Sequence, residues 1–232
     1  MNGKKPDKPV SVAIDGPSGA GKSSVARAVA AEIGIIYVDT GAMYRAVALH
    51  CLNSGADLED EAEIAGALDD LDIDIGFAGG SQRVFLGAED VTERLRTQAV
   101  ADGSSKVAAV KSVRERLVEL QRGIAAGRGV VMDGRDIGTH VLPSADVKIY
   151  LDADVDVRTR RRMGELAAKG LEPCFEKIRA EITERDLRDT NREFSPLRKA
   201  PDATVIDTSE MTFDEVKKKI CMLIEEMINN KG

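Results

Sequence analysis

Nine consecutive residues, GPSGAGKSS at positions 16–24, have the Gly-x-x-x-x-Gly-Lys-Ser spacing of a loop that binds phosphate groups. An apolar run precedes them and a helical pattern follows, which is the context that this spacing requires. Glycine lets the backbone turn its N–H groups toward an anion, and the next helix adds its positive N-terminal end. Lys22 is expected to reach the β and γ phosphates of a nucleotide, and the Ser23 hydroxyl suits Mg²⁺. The predicted nucleotide-binding residues are Gly16, Pro17, Ser18, Gly19, Ala20, Gly21, Lys22, Ser23 and Ser24.

Asp133 ends the apolar run VVMDG and is a second candidate for the metal site. In proteins with this kind of loop, a carboxylate at a strand end holds the Mg²⁺ shell, directly or through water. An aspartate at such a position also commonly caps a turn. The residues alone leave both interpretations open.

Arginines follow two of the apolar runs. Thr40 and Arg45 lie in DTGAMYR, and Arg135 and Asp136 lie in DGRD. The carboxyl ends of parallel strands meet at one edge of a sheet, where ligands bind, so these side chains are expected beside the phosphate-binding loop. The chain as a whole is acidic, with a formal net charge of −7. A local group of arginines in such a chain indicates a dedicated anion site and argues against nucleic acid as a partner.

The segment CFEKIRAEITERDLRDTNR, residues 174–192, has a stripe at helical spacing that is apolar at first and then charged. The members of the stripe are Phe175, Ile178, Ile182, Arg185, Asp189 and Arg192. A stripe of this spacing faces the protein core, so its charged half needs an explanation. One explanation is a helix end that leaves the core, with solvated charges and a weak Arg185–Asp189 pair. The other is a charged half that meets a ligand, and we favour it because the loop at 16–24 needs a second anion site beside it.

The elements that must position these residues alternate along the chain. Apolar runs predict strands at residues 10–15, 35–39, 129–134, 147–152 and 204–208. Helical patterns are found at residues 22–33, 42–53, 107–126, 155–169, 175–190 and 213–228. This alternation predicts a three-layer α/β fold, with a five-stranded parallel sheet flanked by helices. Residues 71–105 alternate apolar and polar side chains around Gly79-Gly80 instead, which predicts a small inserted antiparallel β subdomain.

The rest of the composition excludes several classes of protein. Cys51, Cys174 and Cys221 are scattered, which fits a reducing cytoplasm and neither a disulfide framework nor a metal motif. No apolar run approaches the roughly 18 residues of a membrane span, and no signal peptide precedes the predicted fold. We therefore expect a cytoplasmic protein without a membrane partner.

Six segments, in order and from end to end, resemble the bacterial cytidylate kinases, a family of nucleoside monophosphate kinases with a P-loop fold. The segments are IDGPSGAGKSS, DTGAMYRAVAL, RTQAVADGSSKVAAVKSVRERLVELQR, MDGRDIGT, ADVKIYLDA and ERDLRDTNR. The resemblance implies transfer of the γ-phosphoryl group of ATP to CMP or dCMP in a monomeric cytoplasmic enzyme that uses Mg²⁺. It also implies a kinase core at 1–70 and 106–232, a short lid at about 156–172, and a nucleoside-monophosphate-binding subdomain at 71–105.

The same resemblance implies roles for individual residues. Those expected near the phosphate of CMP are Thr40, Arg45, Arg135 and Arg192. Those expected near its sugar are Arg185 and Asp189, and those near the cytosine are Ser105, Arg114 and Asp136. The expected catalytic residues, which hold the transferring phosphoryl group, are Lys22 and the lid arginines Arg158, Arg161 and Arg162.

Other functions stay open on the residues alone. A P-loop ATPase or switch that controls a partner would carry the same loop, although no Asn-Lys-x-Asp run supports a GTP switch. A kinase for UMP, AMP or a small hydroxylated metabolite would also carry it. Residue chemistry therefore predicts phosphoryl transfer to an anionic acceptor, and only the resemblance names the acceptor.

Overall fold

A computed structural model describes residues 9–230 of the 232-residue chain, so the expected core at 1–70 and 106–232 extends beyond the described residues at both ends. The strands, in chain order, are β1 (Ser11–Asp15), β2 (Ile36–Asp39), β3 (Ile73–Ala78), β4 (Ser81–Leu86), β5 (Glu89–Asp90), β6 (Val130–Gly134), β7 (Val147–Asp152) and β8 (Thr204–Asp207). The α-helices are α1 (Lys22–Ile33), α2 (Thr40–Ser54), α3 (Glu61–Gly66), α4 (Gln98–Val107), α5 (Lys111–Ala125), α6 (Val155–Ala167), α7 (Phe175–Asn191) and α8 (Phe213–Asn230).

A five-stranded parallel sheet with the order β2-β6-β1-β7-β8 forms the centre of the protein. In its register Asp39 lies opposite Asp133, and Asp15 lies opposite Gly134 and Tyr150. The strand ends therefore bring carboxylates from three neighbouring strands to one edge. The predicted parallel sheet is confirmed.

Helices cover both faces of this sheet, because alternate side chains of a strand point to opposite faces. On β1, Ala13 belongs to the apolar cluster that includes residues of α2, α4 and α5. Val12 and Ile14 belong to the cluster on the other face, together with residues of α1 and α8. The two clusters make three layers, as the strand–helix alternation predicts.

The inserted segment forms a separate antiparallel sheet of β3, β4 and β5, with Gly79 and Gly80 in the turn at positive φ. Its inner side chains Ile75 and Val84 join the apolar cluster of α2, so the insert shares the core of the main fold. The strands end at Asp90, and the remainder of residues 71–105 is largely helical, which the antiparallel prediction missed. Buried side chains at 100, 104 and 107 have helical spacing, and this signal explains the difference.

The predicted helix at 107–126 corresponds to α5, which starts four residues later, at Lys111, and ends at Ala125. Val107 ends α4, Val110 is extended with ψ of 124°, and α5 starts at Lys111. Because the helix is interrupted here, the carbonyl oxygen of Ala108 is free to accept a hydrogen bond from Nη1 of the buried Arg114, at 3.2 Å. The change of direction therefore helps to hold one of the predicted substrate-binding arginines.

All three cysteines are free thiols. Among residues 9–230, no helix has the length and apolar character needed to cross a bilayer.

Candidate active site

The loop between β1 and α1 has the curvature that its glycines predict. Gly16, Gly19 and Gly21 have φ angles of 146°, 76° and 86°, values that residues with a β-carbon rarely adopt. A β-carbon at Gly16 would also lie 2.0 Å from the carbonyl oxygen of Leu151. Gly21 immediately precedes α1, so the unpaired N–H groups of the first helical turn lie beside the loop. The combination suits the close approach of an anion.

Lys22 is buried at the start of α1, and its ammonium donates a hydrogen bond to the carbonyl oxygen of Pro17 at 2.6 Å. Burial and the positive charge of Arg135 lower the pKa of Lys22 well below its usual value, against the opposing effect of Asp133 and Asp15. A buried ammonium beside another cation is stabilised by an anionic ligand. Its position therefore fits the phosphate-binding role predicted for it.

Asp133 lies at the end of β6 and both of its carboxylate oxygens accept hydrogen bonds from hydroxyl groups. Ser23 Oγ donates to Oδ2 and Tyr37 Oη donates to Oδ1, each at 2.8 Å. The hydroxyl of Thr40 donates to the Asp133 carbonyl oxygen at 2.7 Å. Burial and the neighbouring Asp39 raise the pKa of Asp133. Tyr37 was not predicted as a site residue. The sequence indicates its role only through its place in the predicted strand at 35–39, two residues before Asp39 at the sheet edge.

The Ser23 and Asp133 side chains are oxygen donors of the kind that Mg²⁺ prefers. Residues 9–230 contain no group of three or more histidine, cysteine, aspartate or glutamate side chains that could hold a metal by themselves. Magnesium commonly uses one or two protein oxygens together with nucleotide phosphates and water. The residues present therefore fit a metal that binds along with a nucleotide.

Arg135 and α7 form the centre of a positively charged region. Arg135 Nε donates to Asp189 Oδ2 at 2.7 Å. Arg185 lies on the same side of α7, where burial and the charge of Arg135 lower its pKa to about 10. Asp189 is buried, so the charged half of the stripe is not a solvated helix end. Arginines held this close without full compensation attract an anion.

Asp136, Arg114 and Arg192 form a second buried group. Arg114 Nη2 donates to Asp136 Oδ2, and Arg192 Nη2 lies 3.7 Å from Asp136 Oδ1. The guanidinium of Arg114 is only 1% exposed and lies 5.3 Å from the ring centre of Tyr44. The carboxylate is thus oriented by arginines from two helices, α5 and the end of α7.

Several buried polar atoms have no hydrogen-bond partner among residues 9–230. Four of them belong to residues predicted to hold CMP: Ser105 Oγ, Arg114 Nε, Arg185 Nε and Arg192 Nη2. Buried polar atoms in proteins are nearly always hydrogen-bonded. The four atoms at these positions are consistent with a polar ligand that completes the bonding, while the other four belong to Ser112, Gln121 and Ser195. Arg45, by contrast, is paired with Asp39 at 3.0 Å.

The predicted lid arginines have different surroundings. Arg158 is buried and donates to the carbonyl oxygens of Ala153 and Ser18, each at 2.9 Å. Arg161 donates to the Thr208 hydroxyl at 2.9 Å. Arg162 is half-buried and pairs with Glu165. The expected catalytic role of these arginines stays a prediction, and for Arg158 and Arg161 it requires an exchange of partners.

Asp15, at the end of β1, is a buried carboxylate that the prediction missed. It accepts hydrogen bonds from the backbone N–H groups of Ile137 and Gly138, both at 2.8 Å. These bonds hold the turn that carries Arg135 and Asp136. Its place immediately before the phosphate-binding loop is the signal that could have identified it.

We expect Asp15 to make stability depend on pH. Burial, with a smaller contribution from Asp136, raises its pKa from 3.8 to about 6, against the backbone hydrogen bonds and Lys22. Because the folded state binds this proton more tightly, the contribution of Asp15 to the free energy of unfolding is full below pH 4. It declines as the pH rises through 6. Urea unfolding of wild type and Asp15→Asn should show the difference between them falling by about 2 kcal/mol from pH 4 to pH 7. A difference that is independent of pH would contradict the assignment.

Comparison with known proteins shows which family this sequence resembles. Residues 12–226 match the family model described as cytidylate kinase. A cytidylate kinase of Caldicellulosiruptor saccharolyticus is 46% identical over 224 residues, which are 97% of this chain and 99% of the relative. A cytidylate kinase of Pelotomaculum thermopropionicum is 52% identical over 211 residues, which are 90% of this chain and 93% of the relative.

A solved structure of an uncharacterized protein from Eubacterium ventriosum has a TM-score of 0.52 at 15% identity. The match covers 93% of this chain and 98% of that protein, and it supports the fold alone. The family model and the sequence relatives go further, because they span the loop, the strand-end residues and α7 together. On this evidence the chain belongs to the cytidylate kinase family.

Proposed function

We propose that the protein transfers the γ-phosphoryl group of ATP to CMP or dCMP, giving ADP and CDP or dCDP. The observation that carries the proposal is that cationic side chains of the loop and of the arginine group lie together at one edge of the parallel sheet. Lys22 of the loop and Arg135 of the arginine group are close enough for the arginine to lower the pKa of the lysine. Two nucleotides bound at these sites would have their phosphates side by side, as direct transfer requires. Family membership favours cytidylate as the acceptor.

On the donor side, residues 16–24 would hold the phosphates of ATP through backbone N–H groups and Lys22. On the acceptor side, the groups proposed for the CMP phosphate are Thr40, Arg45, Arg135 and Arg192. Arg185 and Asp189 are proposed for the sugar, where the carboxylate would accept a hydrogen bond from a hydroxyl group. Ser105, Arg114 and Asp136 are proposed for the base.

The reaction needs no general base in this arrangement. The acceptor is a phosphate oxygen. A phosphate monoester has a second pKa of about 6, so it is largely dianionic at neutral pH. His50 Nε2 lies 2.8 Å from the Ala67 carbonyl oxygen, and His140 packs against the ring of Phe194. These contacts fit structural roles for both histidines. Catalysis would consist of alignment and charge neutralisation by Lys22 and the surrounding arginines.

Ser23 and Asp133 are the residues proposed to hold Mg²⁺ together with the phosphates of ATP. The bound ion would supply positive charge to the phosphoryl oxygens. Tyr37 keeps the Asp133 carboxylate in place through its hydrogen bond to Oδ1. Ser23, in the first turn of α1 next to the loop, donates a hydrogen bond from its hydroxyl to the other carboxylate oxygen, Oδ2.

Residues 71–105 are proposed as the subdomain that borders the nucleoside, and about 156–172 as the lid. Gln82 of β4 supports the first assignment, because its side chain exchanges hydrogen bonds of 2.8 and 3.1 Å with the backbone of Asp39 at the strand edge. Of the three predicted lid arginines, Arg162 has the most exposed contact, so it is the one of the three that a phosphate would recruit most easily. Closure would exclude water, which otherwise competes as an acceptor.

We also propose a monomeric cytoplasmic enzyme whose partners are nucleotides, without nucleic acid or membrane. The net charge of −7 and the free thiols support this assignment.

A coupled assay of ADP formation tests the function. With ATP and Mg²⁺ present, CMP, dCMP, UMP and AMP are added separately, and one sample contains no acceptor. We expect rapid ATP consumption with CMP or dCMP and little without an acceptor. Equal consumption with and without an acceptor would indicate an ATPase instead, and a preference for AMP or UMP would overturn the choice of acceptor.

A further inference from the structure

Asp186 joins three parts of the molecule that belong to the two sides of the site. It lies on α7, and its Oδ1 accepts a hydrogen bond from the backbone N–H of Ser18 in the phosphate-binding loop at 2.9 Å. Its Oδ2 accepts from Nη1 of Arg158 on α6 at 2.5 Å. The same arginine nitrogen donates to the Ser18 carbonyl oxygen at 2.9 Å. The loop peptide, the α6 arginine and the α7 carboxylate thus form a closed set of hydrogen bonds.

The surroundings make this set stronger than an ordinary surface ion pair. The side chains of Arg158 and Asp186 are 9% and 19% exposed. The other ion pair between the same two helices, Arg179 with Asp156, has exposures of 45% and 41%. Hydrogen bonds to ionised groups gain strength when water is excluded, whereas exposed pairs contribute little.

The position of Asp186 along α7 links the loop to the residues proposed for the acceptor. Arg185 is its neighbour in sequence, and Asp189 follows three residues later, about 4.5 Å further along the helix axis at the usual rise. A helix of this kind moves as one body over such a distance. Any shift of the loop relative to α7 would therefore change the distance between donor and acceptor.

We propose that Asp186 is a positioning residue that locks the phosphate-binding loop to α7 and so sets the alignment of the two nucleotides. This inference rests on the proposed function. Asp186 need not touch either substrate, because it acts through Ser18 on the donor loop and through the helix on Arg185 and Asp189. Misplacement of reacting groups by about 1 Å can cost about 10²-fold in rate.

The test compares Asp186→Ala and Asp186→Asn with the matched control Arg179→Gln, which removes the exposed pair between α6 and α7. We expect Asp186→Ala to lower kcat by about 10- to 100-fold. The dissociation constants of ATP and CMP, each measured alone by calorimetry, should change far less. Asp186→Asn keeps an acceptor for Ser18 and loses the charge, so its kcat should be intermediate. Arg179→Gln should retain the wild-type kcat.

Hydrogen exchange of the loop amides gives a readout that needs no turnover. Exchange in residues 16–24 should be faster in Asp186→Ala than in wild type and unchanged in Arg179→Gln. Unchanged loop exchange in Asp186→Ala would overturn the proposal, and so would an unchanged kcat or an equal loss in the control. Wild-type protein that transfers no phosphoryl group to any monophosphate would instead overturn the proposed function, while the exchange experiment still decides whether Asp186 locks the loop.

Discussion

Replacement of Lys22 by alanine is expected to lower kcat by about 10²- to 10³-fold, with a smaller change in the affinity for ATP. The ammonium is buried at the loop, and this burial together with the neighbouring Arg135 already lowers its pKa. Its charge is therefore best stabilised when negative charge develops on the transferring phosphoryl oxygens. Backbone N–H groups of the loop remain in the variant and would still bind the ground-state nucleotide. Steady-state kinetics with CMP, together with calorimetric titration of ATP, separate the two effects.

Lys217→Ala is the matched control for that experiment. Lys217 pairs with Glu32 at 3.3 Å near the other end of α1, so its loss removes a lysine contact to the same helix outside the site. We expect wild-type kinetics from it. Near-normal turnover in Lys22→Ala would exclude the loop lysine from the mechanism.

The second large effect concerns the choice of base at Asp136. Cytosine presents an amino donor at N4, where uracil presents an acceptor at O4. A buried carboxylate gains a charge-assisted hydrogen bond with the first and opposes a lone pair with the second. Sites that leave buried polar groups unpaired with the wrong substrate discriminate by up to ~10⁴-fold, so wild type should strongly prefer CMP to UMP. Arg114 acts in the same sense, since it can only donate to cytosine N3 or O2.

Asp136→Asn is the more informative variant, because Asp136→Ala would leave the buried Arg114 without its carboxylate. The asparagine oxygen can still accept from Arg114, while its amide nitrogen offers a donor to uracil O4. We therefore expect kcat/KM to fall for CMP and to fall less, or rise, for UMP. Thermal unfolding of Asp136→Asn and Asp136→Ala provides the control for stability. A CMP/UMP ratio equal to that of wild type would show that Asp136 does not recognise the base.

Much of the fold and of the donor loop followed from local patterns. The loop at 16–24 is one continuous segment whose glycine positions, preceding strand and following helix lie side by side in the sequence. The strands β1 and β6 are short, almost uninterrupted apolar runs, as expected of parallel strands that are covered on both faces. The strand-end rule then brings residues of DTGAMYR and DGRD to one edge without further information. These predictions required only neighbours in the chain and a general property of parallel sheets.

The break between α4 and α5 could not be predicted from the same patterns. Apolar residues at 107, 110 and 113 continue a helical spacing through the break, and no proline marks it. At the interruption, Arg114 donates a hydrogen bond to the released Ala108 carbonyl oxygen from within the core. That arginine in turn is held by Asp136, more than twenty residues away.

The residue types and spacing by themselves determined an anion-binding loop, a parallel α/β sheet and a helix that presents charge on its inner face. They did not determine which charged side chains pair with each other. From Ile182, a step of three leads to Arg185 and a step of four to Asp186, and both steps are helical. Only the packing of α6 and the loop against α7 decided that Asp186 bonds Ser18 and Arg158. The reason is physical: periodicity defines the face of a helix, whereas ion-pair partners depend on distances between segments that are far apart in the chain.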